Sequence, residues 1–586
     1  MHGCALFRSA ILFLWLTAAA AAAQQFESGA TVSKPRQQSA TARQSAMSLI
    51  EEALAGTGSL TLPSNRLAIE LRAFPIVWSR SDARARVLVQ QMAGEFGQSA
   101  SAILQNPDQN PVYALNLLRN QRNNIAHNIA NSDPALALVF VSATLPYLKS
   151  DGADGDSEDH ALIVDLAAQV ALRDPHHALQ LAEQQLKEMS DLPQSMISLL
   201  EQVQRNDPQA GARLLRDIVD HLRQQNLAED SEALSFASAL LGNQFFHQSE
   251  AGKPDDALRS LAEAVASAAM NSEVMQNEPY ILANAKTALQ ALSPSKSAIL
   301  YPGSPRKAVP PIQPSFWQRF NLARSNGDVN QALALISQAP EDDRAQALEQ
   351  AAWDLANRGE VERARQVAET LDPWKKNNVV QSAIQCAALA AGSHSDFSGA
   401  RQLAAQITDE DSRATLLSDL AIYAYGDGKR STAEEMLAEA ASLVSNRNAG
   451  TSAFAAQLRV AQAYLRVKPA QAIPLLERSA SQIDQALSAA AQLDGFLPDR
   501  HSFEGSELIL DQGFLYTSLL EPYAQATAEL AAIDLPTART MADRLPLPEA
   551  RLMTEVVVAA RVLGQKDQAQ AASNSAPDVS RWFDVH

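Results

Sequence analysis

The sequence predicts an all-α fold, an α-α superhelix or solenoid of stacked antiparallel helix pairs. Helical spacing of apolar residues runs almost without interruption from about residue 45, whereas the β-branched alternation typical of strands is scarce. In the second half, Ala332, Ala364, Ala400 and Ala433 recur 32, 36 and 33 residues apart. A period in this range is typical of helix-pair repeats.

The amino terminus has the three regions of a secretory signal. Arg8 precedes an apolar run at residues 11–16, and six alanines follow at residues 18–23. This pattern predicts a signal peptide at residues 1–23 that is cleaved after Ala23. A membrane anchor or a buried helix is the alternative, but the run is shorter than the ~20 apolar residues that span a bilayer. We therefore expect an exported chain, periplasmic or extracellular, with no integral membrane segment after cleavage.

Composition divides the rest of the chain into four regions. Residues 24–45 are rich in Gln, Ser, Thr and Ala, which predicts a flexible mature terminus. Five prolines within residues 301–315 predict a linker, because proline fixes φ and lacks an amide donor. Residues 46–300 then form an N-terminal helical-repeat region and residues 316–586 a C-terminal one. Sequence alone leaves open whether these are two domains or one superhelix with an insertion.

Prolines mark helix starts in the N-terminal region. An acidic or amide residue before a proline serves as N-cap, and proline at the first helical position loses no hydrogen bond. Asp133 and Asp207 illustrate this pattern. The predicted starts are Pro111, Pro134, Pro175, Pro208 and Pro254.

The clearest helix pair lies at residues 344–371. Ala345, Leu348, Ala352 and Leu355 share one face of its first helix. On the second helix, the predicted inner residues are Val361, Ala364, Val367, Ala368 and Leu371. Gly359 is placed to adopt the left-handed conformation that ends a helix, where a Cβ is costly. Ala364 is small enough to let the two helices approach closely.

A glycine followed five residues later by an alanine defines this turn, and it recurs along the second half. The pairs are Gly327/Ala332, Gly359/Ala364 and Gly428/Ala433, with Ser395/Ala400 departing at the glycine. This pattern resembles the tetratricopeptide repeat family, most clearly over residues 316–445. The resemblance implies a helical superhelix that binds other proteins. The aromatic residue usual on the family's first helix is replaced here by Ala323, Leu355, Ala391 and Ala424, which predicts a shallower groove.

The charge of the chain argues against a nucleic acid partner, and its cysteine content argues against an internal disulfide. The formal net charge is -18, or -19 once Arg8 leaves with the signal (47 basic against 66 acidic residues). Since such a chain is repelled by phosphate backbones, we expect no nucleic acid partner. Cys386 is the only cysteine outside the signal, so no internal disulfide can form. Its apolar helical context predicts a small buried side chain.

Motifs for catalysis, metal binding and cofactors are incomplete. H-E-x-x-H, C-x-x-C and G-x-S-x-G are absent. Ser293 and Lys296 match S-x-x-K without the partner elements of that family of sites. The acidic segment at residues 151–159 has the carboxylates that Ca²⁺ prefers but not the EF-hand spacing, so a helix-entry loop is the competing interpretation. We predict no enzyme, no metal and no cofactor.

The segment at residues 493–515 interrupts the alanine-rich helical pattern. It is a possible recognition loop, because long loops with aromatics and charges often carry binding residues. Its candidate residues are Phe496, Arg500, His501, Phe503 and Glu504. The alternative is an enlarged connection that folds its aromatics back onto the helical scaffold.

These observations predict an exported, non-catalytic scaffold that mediates protein–protein interaction in the cell envelope. Two alternatives remain open on sequence alone. One is a cell-wall-acting envelope enzyme with a site on the concave face or near residues 495–514. The other is a structural subunit of a secretion or outer-envelope assembly.

Overall fold

The fold is given by a computed structural model. The residues it describes are 35–105, 110–148, 154–189, 191–249, 256–271, 279–301, 316–445, 450–494, 502–510 and 513–564. The predicted signal peptide at residues 1–23 lies outside them.

Helices make up nearly all of the described chain, which confirms the all-α prediction. The first thirteen are α1 Pro35–Gly56, α2 Pro63–Trp78, α3 Asp82–Leu104, α4 Pro111–Ala130, α5 Pro134–Thr144, α6 Asp154–Val170, α7 Pro175–Glu188, α8 Ser195–Asn206, α9 Pro208–Gln224, α10 Ser231–Ser249, α11 Asp256–Asn271, α12 Lys286–Leu292 and α13 Pro294–Leu300.

The second half continues with the same architecture. Its helices are α14 Phe316–Ser325, α15 Val329–Ile336, α16 Glu341–Asn357, α17 Val361–Val367, α18 Pro373–Ser393, α19 Phe397–Ala404, α20 Glu410–Gly426, α21 Arg430–Ser445, α22 Thr451–Val467, α23 Ala472–Leu493, α24 Glu521–Ala531, α25 Leu535–Asp543 and α26 Pro548–Val562. Between α23 and α24, a two-residue strand β1 (Phe503–Glu504) pairs antiparallel with β2 (Glu507–Leu508).

The chain forms two compact units. We call residues 62–311 the middle unit, and residues 1–61 together with 312–586 the terminal unit. The carboxyl-side boundary between them falls within the proline-rich segment at residues 301–315. The amino-side boundary at Thr61 has no counterpart in the sequence prediction, which assigned residues 46–300 to one region.

The helix starts of the middle unit follow the predicted capping rule. The Asp133 side chain accepts a hydrogen bond from the Ala135 amide (2.8 Å), and the Asp207 side chain accepts one from the Gln209 amide (2.9 Å). Helices begin as predicted at Pro111, Pro134, Pro175 and Pro208, whereas the helix expected from Pro254 is described from Asp256. Within this unit, each helix packs against one or both of the next two along the chain.

The predicted turns of the terminal unit share one backbone geometry. The residues at these turns are left-handed, with φ of 76° at Gly327, 71° at Gly359, 64° at Ser395 and 77° at Gly428. In each turn, the following amide donates to the carbonyl five residues earlier, at 2.8–3.0 Å. These carbonyls belong to Ala323, Leu355, Ala391 and Ala424. The left-handed residue thus satisfies backbone groups at the helix end.

Close packing explains the recurring alanines. Ala332, Ala364, Ala400 and Ala433 are all 0% exposed and lie between paired helices. In the pair at residues 344–371, Ala352 and Leu355 are also fully buried. Ala345 is an exception to the predicted inner face, because it is exposed while Ala347 is buried instead. Each helix pair packs on the next, and from α16 onward the first helix of each pair also contacts the first helix of the following pair.

The amino-terminal helix closes the far end of this array. Helix α1 packs against α26, the last helix described, and the Arg539 guanidinium pairs with the Glu52 carboxylate at 2.5 Å. The helix begins at Pro35, within the stretch at residues 24–45 for which the sequence predicts flexibility. Among the described side chains of this helix, which start at residue 40, Ala46 is the first that is buried. The part of the helix before Ala46 contains alanine, glutamine and arginine. These are good helix formers, which explains why the helix extends beyond its packed part.

Candidate functional site

A groove of about 680 Å³ opens in the terminal unit between α19 and α21. These are the second helices of two successive pairs. The groove is lined by Ser395, Asp396, Phe397, Ser398, Arg401, Gln402, Ala405, Lys429, Thr432, Met436 and Glu439. Cationic and polar side chains therefore surround a floor that includes an aromatic ring and a methionine.

The turn before α19 sets one wall of the groove. Asp396 caps this helix by accepting a hydrogen bond from the Gly399 amide at 2.9 Å. Phe397 and Met436 are buried, so they support the groove from below. Arg401 follows the signature alanine Ala400 by one residue, which directs its side chain away from the buried face.

Two arginines hold one carboxylate on the opposite wall. Arg401 Nε donates to Glu439 Oε2 at 2.8 Å, and Arg413 also pairs with Glu439. Partial burial favours the neutral form of Glu439, but the hydrogen bonds from Arg413 and Arg401 outweigh it and lower the pKa of this carboxyl. Glu439 is therefore ionised at neutral pH and orients both guanidinium groups.

Lys429 links the two turns that border the groove. Its ammonium lies 4.8 Å from the centroid of the Phe397 ring and donates to the Ser395 carbonyl at 3.0 Å. The Ser395 hydroxyl in turn donates to Asp427. Among the described residues, Ser395 is the non-glycine residue with a positive φ. This conformation costs about 1 kcal/mol or more for a residue with a Cβ. The bonds to Asp427 and Lys429 stabilise it.

Sequence reasoning located the groove only in part. The signature residues Gly327, Ala332, Gly359, Ala364, Ala400, Gly428 and Ala433 build the turns and the helix contacts, and none of them lines the groove. Two of the predicted turns border it, the one at Ser395 that departs from glycine and the one at Gly428. Arg401, Lys429 and Glu439 were not predicted, although for Arg401 and Lys429 a charged residue next to a signature alanine or turn was a usable signal.

The predicted recognition loop folds back onto the scaffold where it is described. Phe503 is 8% exposed, Leu508 and Leu510 are buried, and the Leu508 amide donates to Glu549 of α26 at 2.7 Å. Glu504 is exposed, whereas Phe496, Arg500 and His501 lie outside the described residues. This part of the loop fits the alternative of an enlarged connection that buries its own aromatic residue.

The incomplete catalytic motif has a structural explanation. The Ser293 hydroxyl donates to Glu263 Oε1 at 2.7 Å, and the Lys296 ammonium pairs with the same carboxylate at 2.7 Å. Glu263 therefore engages both side chains, so Lys296 is not placed to act as a base for Ser293.

The acidic segment at residues 151–159 contributes one visible ion pair. Asp159 pairs with the fully buried Arg122 of α4. Side chains 151–157 fall outside the described part. Elsewhere in the described chain, no three His, Cys, Asp or Glu side chains gather closely enough to hold a metal ion. None of the described helices has the length and apolar character needed to cross a bilayer.

The chain has little similarity to known proteins. No protein-family model matches the chain, and no curated protein matches it. One solved structure, a circular tandem repeat protein with novel repeat topology and enhanced subunit contact surfaces, is 15% identical. The match covers 89% of this chain and 100% of that one with a TM-score of 0.16. The helix contacts themselves therefore define the class, an all-α helical-repeat protein.

Proposed function

We propose that this chain is an exported scaffold of the cell envelope that binds another protein through the groove between α19 and α21, without catalysing a reaction. The observation that carries the proposal is the combination of Arg401, Lys429, Phe397 and Met436 around one opening. Arginine, methionine and aromatic residues are enriched at protein interfaces.

Rigidity of the groove supports this proposal. The hydrogen bonds from Lys429 to the Ser395 carbonyl and from Ser395 to Asp427 hold the two turns together. The shared contacts of Arg401 and Arg413 with Glu439 hold the opposite wall. A groove that is already ordered loses little conformational entropy on binding, which favours its use as a docking surface.

The test uses a repeat-matched pair of variants. Arg401 follows Ala400, and Arg365 follows Ala364 at the same position of the preceding pair, with similar side-chain exposure of 46% and 40%. We expect Arg401→Glu to reduce capture of an envelope protein at least about tenfold, since charge reversal at an interface costs several kcal/mol. Arg365→Glu should leave capture unchanged.

Quantitative crosslinking in the native envelope, followed by mass spectrometry, measures that difference. Equal partner recovery from both variants would contradict the groove as the docking surface. Partner recovery from neither the wild type nor the variants, together with hydrolytic activity on cell-wall material, would contradict the scaffold itself.

The alternative of an envelope enzyme is weakened at one location. One carboxylate of the segment near residues 495–514, Glu507, does lie close to another, Glu549 of α26. However, both are buried, and both accept hydrogen bonds from backbone amides, of Thr61 and Leu508. They hold chain segments together rather than face a substrate. The alternative of an assembly subunit differs from a scaffold in its oligomeric mass, which sedimentation of the purified envelope complex measures.

A further inference from the structure

The amino-terminal segment of the terminal unit is held by contacts remote in sequence. We call residues Ala46–Thr61 the strap. Ala46, Leu49, Ile50 and Ala53 are at most 2% exposed, and a Cβ on Gly56 would lie 2.7 Å from Leu552 of α26. The strap therefore packs closely on α26.

Buried carboxylates line the contact between the strap, the β1–β2 hairpin and α26. Glu507 of β2 accepts hydrogen bonds from the Thr61 amide and from its hydroxyl, the latter at 2.7 Å. Glu549 of α26 is fully buried and accepts from the Leu508 amide through Oε1. Its Oε2 has no hydrogen-bond partner within the described residues. Glu555, two turns along α26, is also buried.

Acids outnumber bases around this contact. Each element packed against α26 brings charge: Glu52 from α1, Arg539 and Asp543 from α25, Glu507 from the hairpin, and Arg551 from α26 itself. From α24, Glu529 faces Arg561 at the other end of α26. Of the bases near Glu555, Arg539 is already paired with Glu52.

This environment favours protonated carboxyls. Burial raises the pKa of Glu549, and the charge of Glu507 adds to the shift against the opposing hydrogen bond from Leu508. Burial also raises the pKa of Glu555, with a further contribution from Asp543 and opposition from Arg551 and Arg539. Protonation of Glu549 would remove the negative charge from this buried carboxyl, whose Oε2 has no hydrogen-bond partner within the described residues.

We propose that the strap is a proton-dependent latch, docked on α26 and the hairpin while Glu549 and Glu555 carry protons and released as the pH rises. This inference is independent of the groove between α19 and α21. Release uncovers Leu552 on α26, so the latch controls exposure of an apolar helix face.

The direction follows from proton linkage. A carboxyl whose pKa is higher in the docked state than in the released state binds more protons when docked. The contribution of Glu549 and Glu555 to the docking free energy is therefore fully present below the ordinary pKa of about 4.5 and is lost as the pH rises through their docked-state values. Within that window, each such carboxyl weakens docking by up to about tenfold per pH unit.

Amide hydrogen exchange of the full chain, corrected for the intrinsic effect of pH, tests the latch. We expect the opening constant of residues 46–61 to increase at least about tenfold between about pH 5 and pH 8. Helices α20 and α21 are the internal reference and should show no such change. The double variant Glu549→Gln/Glu555→Gln should remove the pH dependence of the strap.

A matched control is available in the same hairpin. Glu504 pairs with Glu507 in the strand register but is exposed, so Glu504→Gln should keep the wild-type pH dependence. Strap exchange that is independent of pH in the wild type would overturn the proposal. So would an unchanged pH dependence in the double variant. If that variant does not fold, the comparison of strap and reference helices in the wild type still decides the question.

Discussion

The Cα of Gly359 faces the backbone of Ala387 so closely that a Cβ on the glycine would lie 2.9 Å from both the Cα and the amide nitrogen of Ala387. Ala387 belongs to α18, the first helix of the next pair. The turn of one repeat therefore rests directly on the next repeat. Glycine is needed at this position for two reasons, its left-handed φ of 71° and the close approach of the neighbouring helix.

Alanine substitutions at two of the turns separate these reasons. Gly428 has a similar φ of 77°, but among the described residues no heavy atom outside its immediate chain neighbours lies within 4 Å of the position that a Cβ would occupy there. Gly428→Ala should cost about 1 kcal/mol of unfolding free energy through backbone strain alone. Gly359→Ala should cost about 3 kcal/mol, because overpacking adds to the strain. Urea unfolding of the full chain, followed by amide exchange in α16 to α21, measures both; equal losses would contradict the close contact.

Stability of the middle unit should depend on the protonation of Glu70. Burial, with a contribution from Glu95, raises the pKa of Glu70 to about 8, against opposing contributions from Gln91 and Arg66. Because the folded state holds this proton more tightly than the unfolded state, stability should fall as the pH rises from about 4.5 to about 8.

Glu70→Gln should flatten this pH dependence and should be more stable than the wild type at about pH 9, by roughly 2 kcal/mol or more. Melting of the middle unit across the pH range, with the exposed Glu232→Gln as control, measures the effect. Parallel pH profiles of Glu70→Gln and the wild type would count against a raised pKa.

Arg122 and Asp159 form a buried ion pair between α4 and α6. The guanidinium is fully buried and the carboxylate is 14% exposed. Asp159→Ala should cost about 3–5 kcal/mol, since it leaves a buried charge without its partner. The double variant Arg122→Met/Asp159→Leu should regain most of that stability. A double-mutant cycle on the melting of the middle unit checks this; additive losses would contradict the pairing.

Contact between the strap and α26 can be tested by steric complementarity. Gly56→Ala should destabilise the terminal unit by about 1–3 kcal/mol, because the new Cβ meets Leu552. Adding Leu552→Ala should relieve the clash, so that the double variant loses less than the sum of the single losses. Amide exchange of α26 measures the coupling. Strict additivity would show that the two residues do not meet in solution.

Local features of the sequence predicted the helix pairs well. A glycine that must adopt positive φ, and an alanine that must lie between two helices, leave a signal at a spacing of five residues. That signal located the turns at Gly327, Gly359 and Gly428, and it located Ser395 despite the substitution. Proline and its preceding cap residue located the helix starts at Pro134 and Pro208 in the same way, because capping involves only neighbouring residues.

The groove was less predictable because its parts come from separate helices. Arg401 and Glu439 are 38 residues apart, and their contact depends on how α19 and α21 stack. The position of Phe503 was ambiguous for a similar reason. Aromatic residues in a long loop are compatible with an exposed recognition surface and with packing onto a helix, and only the contacts of the hairpin with α26 distinguish the two.

The all-α class, the repeat turns and most of the residues inside each helix pair can thus be derived from the order of the amino acids. The pairing of Glu52 with Arg539, 487 residues away, and the gathering of buried acids where the strap docks become visible only in the folded chain. The hydrogen bonds that form turns and caps are short-range and directional, whereas the burial of apolar surface is neither. An amphipathic helix such as α1 therefore specifies which of its faces must be covered, but not which distant helix covers it.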